Sequence, residues 1–458
     1  MKDKLFPSAH FQILKSLLRW TIIIIPIAIA IGSMVALFLG LLNLAIHFRF
    51  KHTWLLYLLP VAGVGIHFIY KLVGKTSEKG NNLIIDEIHQ PGGGVPKRMA
   101  PIVLLTTIIT HLFGGSAGRE GTAVQIGGSI AQAFGIWFKL NEIDTRIVLT
   151  AGIAAGFGAV FGTPLTGAIF AVEVLIIGRI QYSALLPCLI AAIIADVTVA
   201  AWGIHHTQYH IAVFTAVPHW FSQYTTFDFV LLFKIIVASV AFGLASYLFA
   251  FLVHGLKSFF VKNIPKQWLI PILGGLIIIG LTAIIGKPDY LSLGIDAEHA
   301  GAVTIPSAFN TADADTWSWL WKTIYTTVTL STGFKGGEVT PLFYIGATLG
   351  NTLSVLMDAP VSLFAALGFI AVFAGATNTP IACTFMGIEL FGGQYALFFA
   401  VACFTAYFFS GHSGIYGSQR IGISKTGQDG VEETLSEVTK ARQTYTRQKL
   451  EKYRFRKG

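Results

Sequence analysis

An acidic residue in a glycine-rich break is the feature of this sequence with the clearest chemical potential. Glu120 lies in Gly118-Arg119-Glu120-Gly121-Thr122, between strongly apolar stretches. A carboxylate in such a region is costly unless it has a function. At a helix N-terminus it would sit ionised among free backbone N–H groups, and protonation would release it. We therefore expect Glu120 to be a proton-linked gate, and the alternative is an ordinary helix-capping glutamate.

Two further glycine-rich breaks precede short apolar helices. They are Gly80-Asn81-Asn82 and Gly336-Gly337-Glu338-Val339-Thr340-Pro341. Helix N-termini that meet within a membrane bind an anion without a full positive charge. A lysine or arginine at that place would hold the anion too tightly for release. The three breaks therefore predict an anion site, and the alternative is that the glycines only allow close helix packing.

The composition places these residues in a membrane. Of the 458 residues, 54% are hydrophobic and only 12% are charged. Soluble domains carry about 25% charged residues. So few charges cannot cover a water-exposed surface, and a single soluble domain is excluded. We expect an all-α polytopic membrane protein.

The apolar runs fall into two length classes. Long runs are predicted at 20–47, 54–72, 101–113, 181–202, 228–254, 268–285, 317–331 and 393–409. Shorter ones, bounded by Gly or Pro, are predicted at 120–136, 146–161, 164–178, 342–356, 361–375 and 380–391. Helices too short to cross about 30 Å of hydrocarbon are tolerated only where protein or a wet cavity covers their ends. Many tilted and broken helices therefore indicate a transport pathway.

The breaks recur in an internal repeat. Thr163-Pro164 is followed by Glu173 at the same spacing at which Thr379-Pro380 is followed by Glu389. We expect two inverted copies at 20–202 and 228–420, an arrangement that secondary transporters share. The remaining predicted parts are a cytoplasmic N-terminal segment at 1–19, an extracytoplasmic loop at 203–227 and a short cytoplasmic tail at 421–458.

The formal net charge of +9 has an uneven distribution. Basic residues crowd the N-terminus, the loops at 71–98 and 257–266, and the tail after Lys425, whereas 203–227 has no Lys or Arg. This pattern follows the positive-inside rule and places both termini in the cytoplasm, although Arg49 and Lys51 fit it poorly. We expect an integral, multi-pass protein of a bacterial inner membrane with lipid around it, not a nucleic-acid binder. The N-terminal apolar run is too long for a cleavable signal peptide.

Other chemistries find little support in the sequence. Cys188, Cys383 and Cys403 lie in apolar runs without metal-ligand spacing, so free buried thiols are expected, with no metal site. The zinc-protease pattern HExxH does not occur. We expect no enzyme activity and no cofactor.

The motifs resemble those of the CLC family of chloride channels and proton-coupled exchangers. The family's GREG and VQIGG signature is similar to Gly118-Arg119-Glu120-Gly121-Thr122 followed by Val124-Gln125-Ile126-Gly127-Gly128. The family's G-x-F-x-P motif is similar to Gly337-Glu338-Val339-Thr340-Pro341. Tyr416 stands where the family's central tyrosine is expected. The resemblance implies a homodimer with one anion path in each subunit.

Departures from the chloride members resemble the fluoride–proton antiporter branch, CLC-F. Asn81 replaces a central serine; Gly92-Gly93-Gly94-Val95-Pro96 is an alternative match that leaves too little chain before Glu120. Val174 replaces an inner glutamate, and Thr122 replaces a proline. The branch implies export of fluoride against inward protons. A chloride channel or a chloride–proton exchanger is the alternative.

The resemblance and the residue chemistry together predict a site. Glu120 would carry the proton and gate the path, while Asn81, Thr340 and Tyr416 would donate hydrogen bonds to the anion. Glu338 is a possible second proton group, or else a cap of the following helix. Glu173 and Glu389 are expected to form hydrogen bonds at helix ends. His111 is expected to be a packing residue with its hydrogen bonds satisfied. Arg119 is expected to pair with a carboxylate or a carbonyl. The complete set of expected anion-binding residues is Asn81, Gly118, Arg119, Gly121, Glu338, Val339, Thr340 and Tyr416.

Overall fold

The computed structural model describes residues 6–212, 228–310, 314–427, 433–439 and 441, and these are predominantly helical. The first half contains α1 (Phe6–Lys51), α2 (Leu59–Ile69), α3 (Asn81–His89), α4 (Met99–Leu112), α5 (Glu120–Trp137), α6 (Glu142–Phe161), α7 (Pro164–Glu173) and α8 (Leu185–Ala201). The second half contains α9 (Phe229–Asn263), α10 (Leu269–Ile285), α11 (Ser318–Ser331), α12 (Val339–Met357), α13 (Val361–Thr377), α14 (Pro380–Phe391) and α15 (Ala396–Phe409).

Short elements connect the helices. Two-residue strands β1 (Ile176–Ile177) and β2 (Arg420–Ile421) pair in parallel and tie the two halves together. The 3-10 turns are Thr53–Leu58, Lys75–Lys79, Tyr182–Ala184, Ser307–Phe309 and Gly393–Tyr395, and a π turn occupies Tyr70–Gly74. The expected helix at 164–178 is shorter than predicted, because α7 ends at Glu173 and the chain then enters β1.

The internal repeat has a matching packing pattern in each half. Gly127 of α5 lies directly against the carbonyl of Gly152 in α6, and Gly346 of α12 lies in the same way against Gly368 in α13. A Cβ atom at any of these glycines would collide with the facing backbone. The glycines therefore allow each pair of helices to cross at backbone contact, as small residues do in membrane bundles.

Helices α7 and α14 cap each other across the two halves. The Glu173 carboxylate at the end of α7 accepts the N–H groups of Ile381 and Ala382 at 3.0 and 2.7 Å. Glu389 of α14 accepts the N–H groups of Leu165 and Thr166 at 2.9 and 2.8 Å. Each carboxylate satisfies the free donors of the other helix's first turn. Both glutamates thus have the helix-end role favoured from the sequence.

Several helix lengths differ from the sequence expectation. Helices α4 and α11 have 14 residues each, which gives about 21 Å, too short to cross the hydrocarbon. Helix α6, expected to be short, has 20 residues. It begins early because Asn141 caps it, with its side chain accepting the Asp144 N–H at 2.8 Å. Its polar first turn hid this start in the hydropathy pattern.

The segment boundaries expected from the sequence agree with the structure only in part. Helix α1 starts at Phe6, so the predicted boundary at residue 20 falls inside a continuous helix. Residues 435–439 of the predicted tail are helical. Residues 1–5, 213–227, 428–432, 440 and 442–458 lie outside the described residues, so the predicted loop and both termini are described only in part.

The outer surface of the helices is suited to lipid. Within the described ranges, six helical stretches are long and apolar enough to cross a membrane: His10–Lys51, Thr53–Lys79, Glu142–Phe161, Tyr182–Ala201, Phe229–Asn263 and Val339–Met357. Large side chains such as Leu44, Phe233 and Phe251 are exposed on them, whereas threonines and serines are buried inside. Apolar side chains outside and polar side chains inside are typical of a membrane protein, and the predicted all-α polytopic membrane fold is confirmed. Cys188, Cys383 and Cys403 are buried free thiols, as expected.

Candidate functional site

The Glu120 carboxylate binds at the N-terminus of α12, a helix of the second half. Glu120 is the first residue of α5 and is fully buried. Its Oε2 accepts the Thr340 N–H at 3.1 Å, and its Oε1 accepts a short bond from the Thr340 hydroxyl. The Arg119 N–H also donates to Oε2, at 3.0 Å. Because both Thr340 donors lie on the first turn of α12, Glu120 does not act mainly as a cap of its own helix.

The two glycine-rich breaks meet at Gly118 and Gly337. Each residue donates its N–H to the other's carbonyl, at 2.6 and 2.7 Å, which forms an isolated antiparallel bridge. A Cβ on Gly118 would lie 2.7 Å from Glu120 Oε2 and 3.0 Å from the Gly337 carbonyl oxygen. Only glycine leaves room for both the bridge and the carboxylate. The bridge therefore sets the N-termini of α5 and α12 face to face.

Asn81 lies at the third break, beside Gly121. Gly80 precedes α3 with a φ of 61°, a left-handed conformation that glycine adopts readily. The Asn81 amide nitrogen would be 3.1 Å from a Cβ on Gly121, and its Oδ1 is buried without a hydrogen-bond partner. Such an unpaired buried acceptor in a native fold needs a donor, and a water supplies one, which leaves the amide N–H₂ as the group that can donate to an anion.

The alternative match at Gly92 to Pro96 takes a different part in the structure. The N–H groups of Gly92 and Gly93 donate to the Glu87 carboxylate, each at 3.0 Å. These glycines form a turn that the end of α3 stabilises. The structure thus brings Asn81, and not this second glycine run, to the junction of the breaks.

Glu338 lies at the same junction but caps nothing. It holds the N-cap position of α12, yet its side chain makes no capping hydrogen bond. Its Oε2 would be 3.7 Å from a Cβ on Gly121, and it lies within electrostatic range of Glu120 and Lys257. The α12 N-terminus is instead satisfied by Glu120. The capping alternative for Glu338 is therefore wrong, and a half-buried carboxyl within electrostatic range of Glu120 remains.

Tyr416 completes the cluster from the far end of the chain. It is buried, and it lies within electrostatic range of Glu120 and Glu338. The irregular segment around it is held from three directions. Ile415 donates its N–H to Ala376 at 2.9 Å, Gln419 donates to the carbonyls of Val174 and Thr377, and Ser418 donates to Asn82 at 3.0 Å.

The remaining expected residues have structural partners. His111 Nδ1 lies 2.9 Å from the Ser292 hydroxyl, so it is a satisfied packing histidine. Arg119 Nε lies 3.7 Å from Glu120 Oε1, and Val339 begins α12. Val174, in the place of the family's inner glutamate, is buried, and its carbonyl accepts from Gln419. No carboxylate therefore stands at that position.

Sequence reasoning missed three contributors to the site. Asn82 and Gln419 hold the Tyr416 segment, and although Asn82 belongs to a break that the sequence singles out, no local pattern predicts these contacts. Lys322 is fully buried in α11 and donates to the Tyr290 and Ser292 carbonyls at 3.1 and 2.7 Å. Its position in the run 317–331, as the one charged residue there, was a signal that could have been used.

A narrow cavity reaches Glu120 from the side of residues 203–212. Arg119, Thr340, His206 and Tyr209 line it together with Glu120. Phe343 and Phe369 form a stacked pair in its wall, with ring centroids 3.8 Å apart. The carboxylate thus stands between this cavity and the cluster of Asn81, Glu338 and Tyr416.

Comparisons with known proteins agree with these motifs. A family model described as voltage gated chloride channel matches residues 61–411. A chloride/fluoride channel protein of Pseudomonas syringae pv. tomato is 46% identical over 418 residues, covering 91% of this chain and 89% of the relative. An H(+)/Cl(-) exchange transporter of Vibrio vulnificus is 26% identical over 363 residues, covering 74% of this chain and 72% of the relative.

Solved structures give the same picture. A crystal structure of a CLC-type fluoride/proton antiporter superposes with a TM-score of 0.81 at 34% identity, covering 88% of this chain and 98% of that one. A slow cyanobacterial Cl⁻/H⁺ antiporter superposes with a TM-score of 0.71 at 20% identity, covering 86% and 94%, and shows the fold alone.

Proposed function

The chain belongs to the CLC family of voltage gated chloride channels and their transporter relatives, and on that premise we propose that it is a fluoride/proton antiporter. It would export fluoride in exchange for protons that enter. Support comes from the relatives named for fluoride, from Asn81 in place of the family's serine and from Val174 in place of the inner glutamate. The family is one of ion transporters, so no enzymatic step is proposed.

One observation carries the proposal: the Glu120 carboxylate is bound where an anion would bind. Its oxygens accept the Thr340 N–H, the Thr340 hydroxyl and the Arg119 N–H. These hydrogen-bond donors are neutral groups at helix ends, so a halide can replace the carboxylate there. The Arg119 guanidinium, whose Nε lies 3.7 Å from Glu120 Oε1, adds a positive charge beyond hydrogen-bond distance. Protonated Glu120 loses its attraction for these donors and leaves the place open. Proton binding and anion binding are then alternatives at one position, which is the basis of exchange.

The donors present favour a small, strongly hydrated anion. Fluoride gives up much hydration energy on entering a membrane protein and must regain it from good hydrogen-bond donors. We propose that the Asn81 amide, the Thr340 hydroxyl, the Tyr416 hydroxyl and the backbone N–H groups of Arg119, Gly121 and Val339 supply them. The N–H of Gly118, expected from the sequence to bind the anion, is instead donated to the Gly337 carbonyl. Glu338 would be a second proton group, since it lies half-buried within electrostatic range of Glu120 and makes no capping bond to α12.

The setting of the transporter is part of the proposal. Basic loops place both termini in the cytoplasm, and the bacterial relatives suggest an inner membrane. We propose a homodimer in which each subunit has its own anion path and is surrounded by lipid. The parts at 1–19, 20–202, 203–227, 228–420 and 421–458 would then be cytoplasmic segment, first repeat, external loop, second repeat and cytoplasmic tail.

Reconstitution into liposomes tests the function. Vesicles loaded with fluoride or chloride are diluted into anion-free medium, and ion electrodes record anion efflux while a pH electrode records proton uptake. The proposal expects fluoride efflux much faster than chloride efflux, with protons moving in the opposite direction. Chloride efflux as fast as fluoride efflux would favour the chloride exchanger or channel. Fluoride efflux without proton uptake would favour a passive channel.

A further inference from the structure

A short C-terminal segment contacts the loop that carries Tyr416. We call residues 433–439 the C-terminal strap. Its backbone bonds to alternate residues of that loop: Ser436 N–H to the Gly417 carbonyl at 3.1 Å, Leu435 N–H to Gln419 at 2.9 Å, and Ile421 N–H to the strap's Glu433 at 3.0 Å. The Ser436 hydroxyl adds a fourth bond to Gly417, at 3.0 Å.

An apolar anchor fixes the strap in place. Leu435 is 3% exposed, and it packs with Ile177, Tyr407 and Ile421 in a small hydrophobic cluster separate from the main core. Thr434 and Glu437 form a capping pair at the start of the strap's turn, where the Glu437 carboxylate accepts the Thr434 N–H and hydroxyl, each at 2.8 Å. The strap therefore has its own local structure and a buried contact with β1 and β2.

The absence of a side chain at Gly417 allows this contact. A Cβ at residue 417 would overlap the Ser436 hydroxyl oxygen, so the strap can approach the loop closely only because this residue is glycine. Gly417 directly follows Tyr416. Residues 411–419 have no helix or strand of their own, so the position of Tyr416 depends on bonds from elsewhere.

The strap also borders a cavity of about 1070 Å³ on its own side of the molecule. Thr434 and Glu437 line one wall, Arg420 and Ser418 lie between, and α3 supplies the opposite wall. Ser418 bonds to Asn82, the residue after Asn81. The cavity thus ends against the two elements, α3 and the Tyr416 loop, that carry two of the proposed fluoride donors.

We propose that the C-terminal strap is a positioning element of the transport site, which holds the Tyr416 loop against α3 and walls the entrance on that side. This inference rests on the proposed function. The strap touches no anion itself; it acts through Gly417, Gln419 and Ile421. Releasing it would leave Asn81 and Thr340 in place but let the Tyr416 hydroxyl move, so fluoride would lose one donor.

Substitution of the anchor tests this inference in the full-length protein. Leu435→Asp places a charge in the hydrophobic cluster, and Ala441→Asp, at an exposed residue of the same tail, is the matched control. We expect Leu435→Asp to raise the fluoride concentration for half-maximal efflux and to lower the fluoride-to-chloride rate ratio several-fold. Ala441→Asp and the conservative Leu435→Met should match the unsubstituted protein, and Ser436→Ala should show a smaller change of the same kind.

A purely structural role predicts a different result. The yield of folded protein would then fall, while the rate ratio and half-maximal concentration of the reconstituted fraction would stay unchanged, and that outcome overturns the inference. If Leu435→Asp does not fold, Leu435→Ala is judged by the same two quantities. If the unsubstituted protein prefers chloride, the proposed function fails, and the half-maximal chloride concentration of the Leu435 variants against Ala441→Asp still decides the role of the strap.

Discussion

Glu120 and Thr340 are bonded across the junction of the two halves, 220 residues apart in sequence. The side chain that begins α5 is received by the first turn of α12, through both the backbone N–H and the hydroxyl of Thr340. A carboxylate and a halide need the same donors here. The affinity of this one place for a carboxylate therefore sets how strongly an anion must compete to enter.

Removal of the charge at residue 120 should uncouple transport. In Glu120→Gln the side chain keeps its size but cannot release a proton, so we expect proton uptake to stop while any anion efflux becomes passive. Liposome efflux with a pH electrode measures both. Glu142→Gln, at an exposed glutamate in the first turn of α6, is the control and should behave like the unsubstituted protein. Proton uptake that persists in Glu120→Gln would remove the residue from its proposed role.

The Thr340 hydroxyl should contribute to both the gate and the anion. Thr340→Val keeps the shape but removes one donor, and a hydrogen bond to a charged group contributes about 1.5–3 kcal/mol. Because the competing Glu120 carboxylate loses the same bond, the comparison is made in a Glu120→Gln background, where no carboxylate competes. There we expect a roughly 10- to 100-fold weaker fluoride affinity, because each 1.4 kcal/mol is tenfold. Isothermal titration with fluoride measures it. Thr340→Ser keeps the hydroxyl and should retain most of the affinity; equal losses in both variants would contradict a hydrogen-bonding role.

The bridge between Gly118 and Gly337 should not tolerate a methyl group. A Cβ at residue 118 lies 2.7 Å from Glu120 Oε2, and one at residue 337 lies 2.7 Å from the Gly121 nitrogen. Gly118→Ala and Gly337→Ala should therefore abolish coupled efflux in the same liposome assay. Gly280→Ala has no neighbour within 4 Å and should be neutral. Normal exchange by Gly118→Ala would mean that the break can open without cost.

Neutralisation of the cross-capping glutamates should reduce stability rather than coupling. Glu173→Gln and Glu389→Gln each leave one acceptor and remove the charge from a helix N-terminus, at a cost of about 1–3 kcal/mol per residue. Thermal unfolding in detergent should show a lower midpoint for both variants. The fluoride-to-proton ratio of the surviving protein should not change. A changed ratio in Glu173→Gln would instead assign that carboxyl to the proton path.

The repeat and the breaks could be predicted because they depend on local chemistry. Proline at residues 164 and 380 fits the first turn of a helix, where its missing N–H costs nothing, so the starts of α7 and α14 were visible. The family resemblance is confirmed by the matching family model and relatives. Asn81 was preferred over the run at Gly92 because the chain before residue 120 has to hold α4, and the structure has Asn81 beside Gly121.

Other features depend on contacts far apart in sequence. No local pattern says that Glu120 is bound by α12 rather than by α5, or that Glu338 leaves its own helix uncapped. The lengths of α6 and α4 were predicted wrongly from the sequence for a related reason. Helix α6 starts in a polar turn that Asn141 caps, and the apolar run of α4 stops at Gly114, which has a φ of 84°. The strap was hidden because a single buried leucine, Leu435, anchors an otherwise polar tail.

The mutual capping of α7 and α14 has a consequence for biosynthesis. Glu389 is translated 224 residues after Leu165, so the ten-residue α7 enters the membrane long before the carboxylate that satisfies its first N–H groups exists. Unsatisfied backbone donors are unfavourable in hydrocarbon. We therefore expect α7 to wait at the translocon or the lipid headgroups, and the first half to reach its final depth only after the ribosome has finished the second.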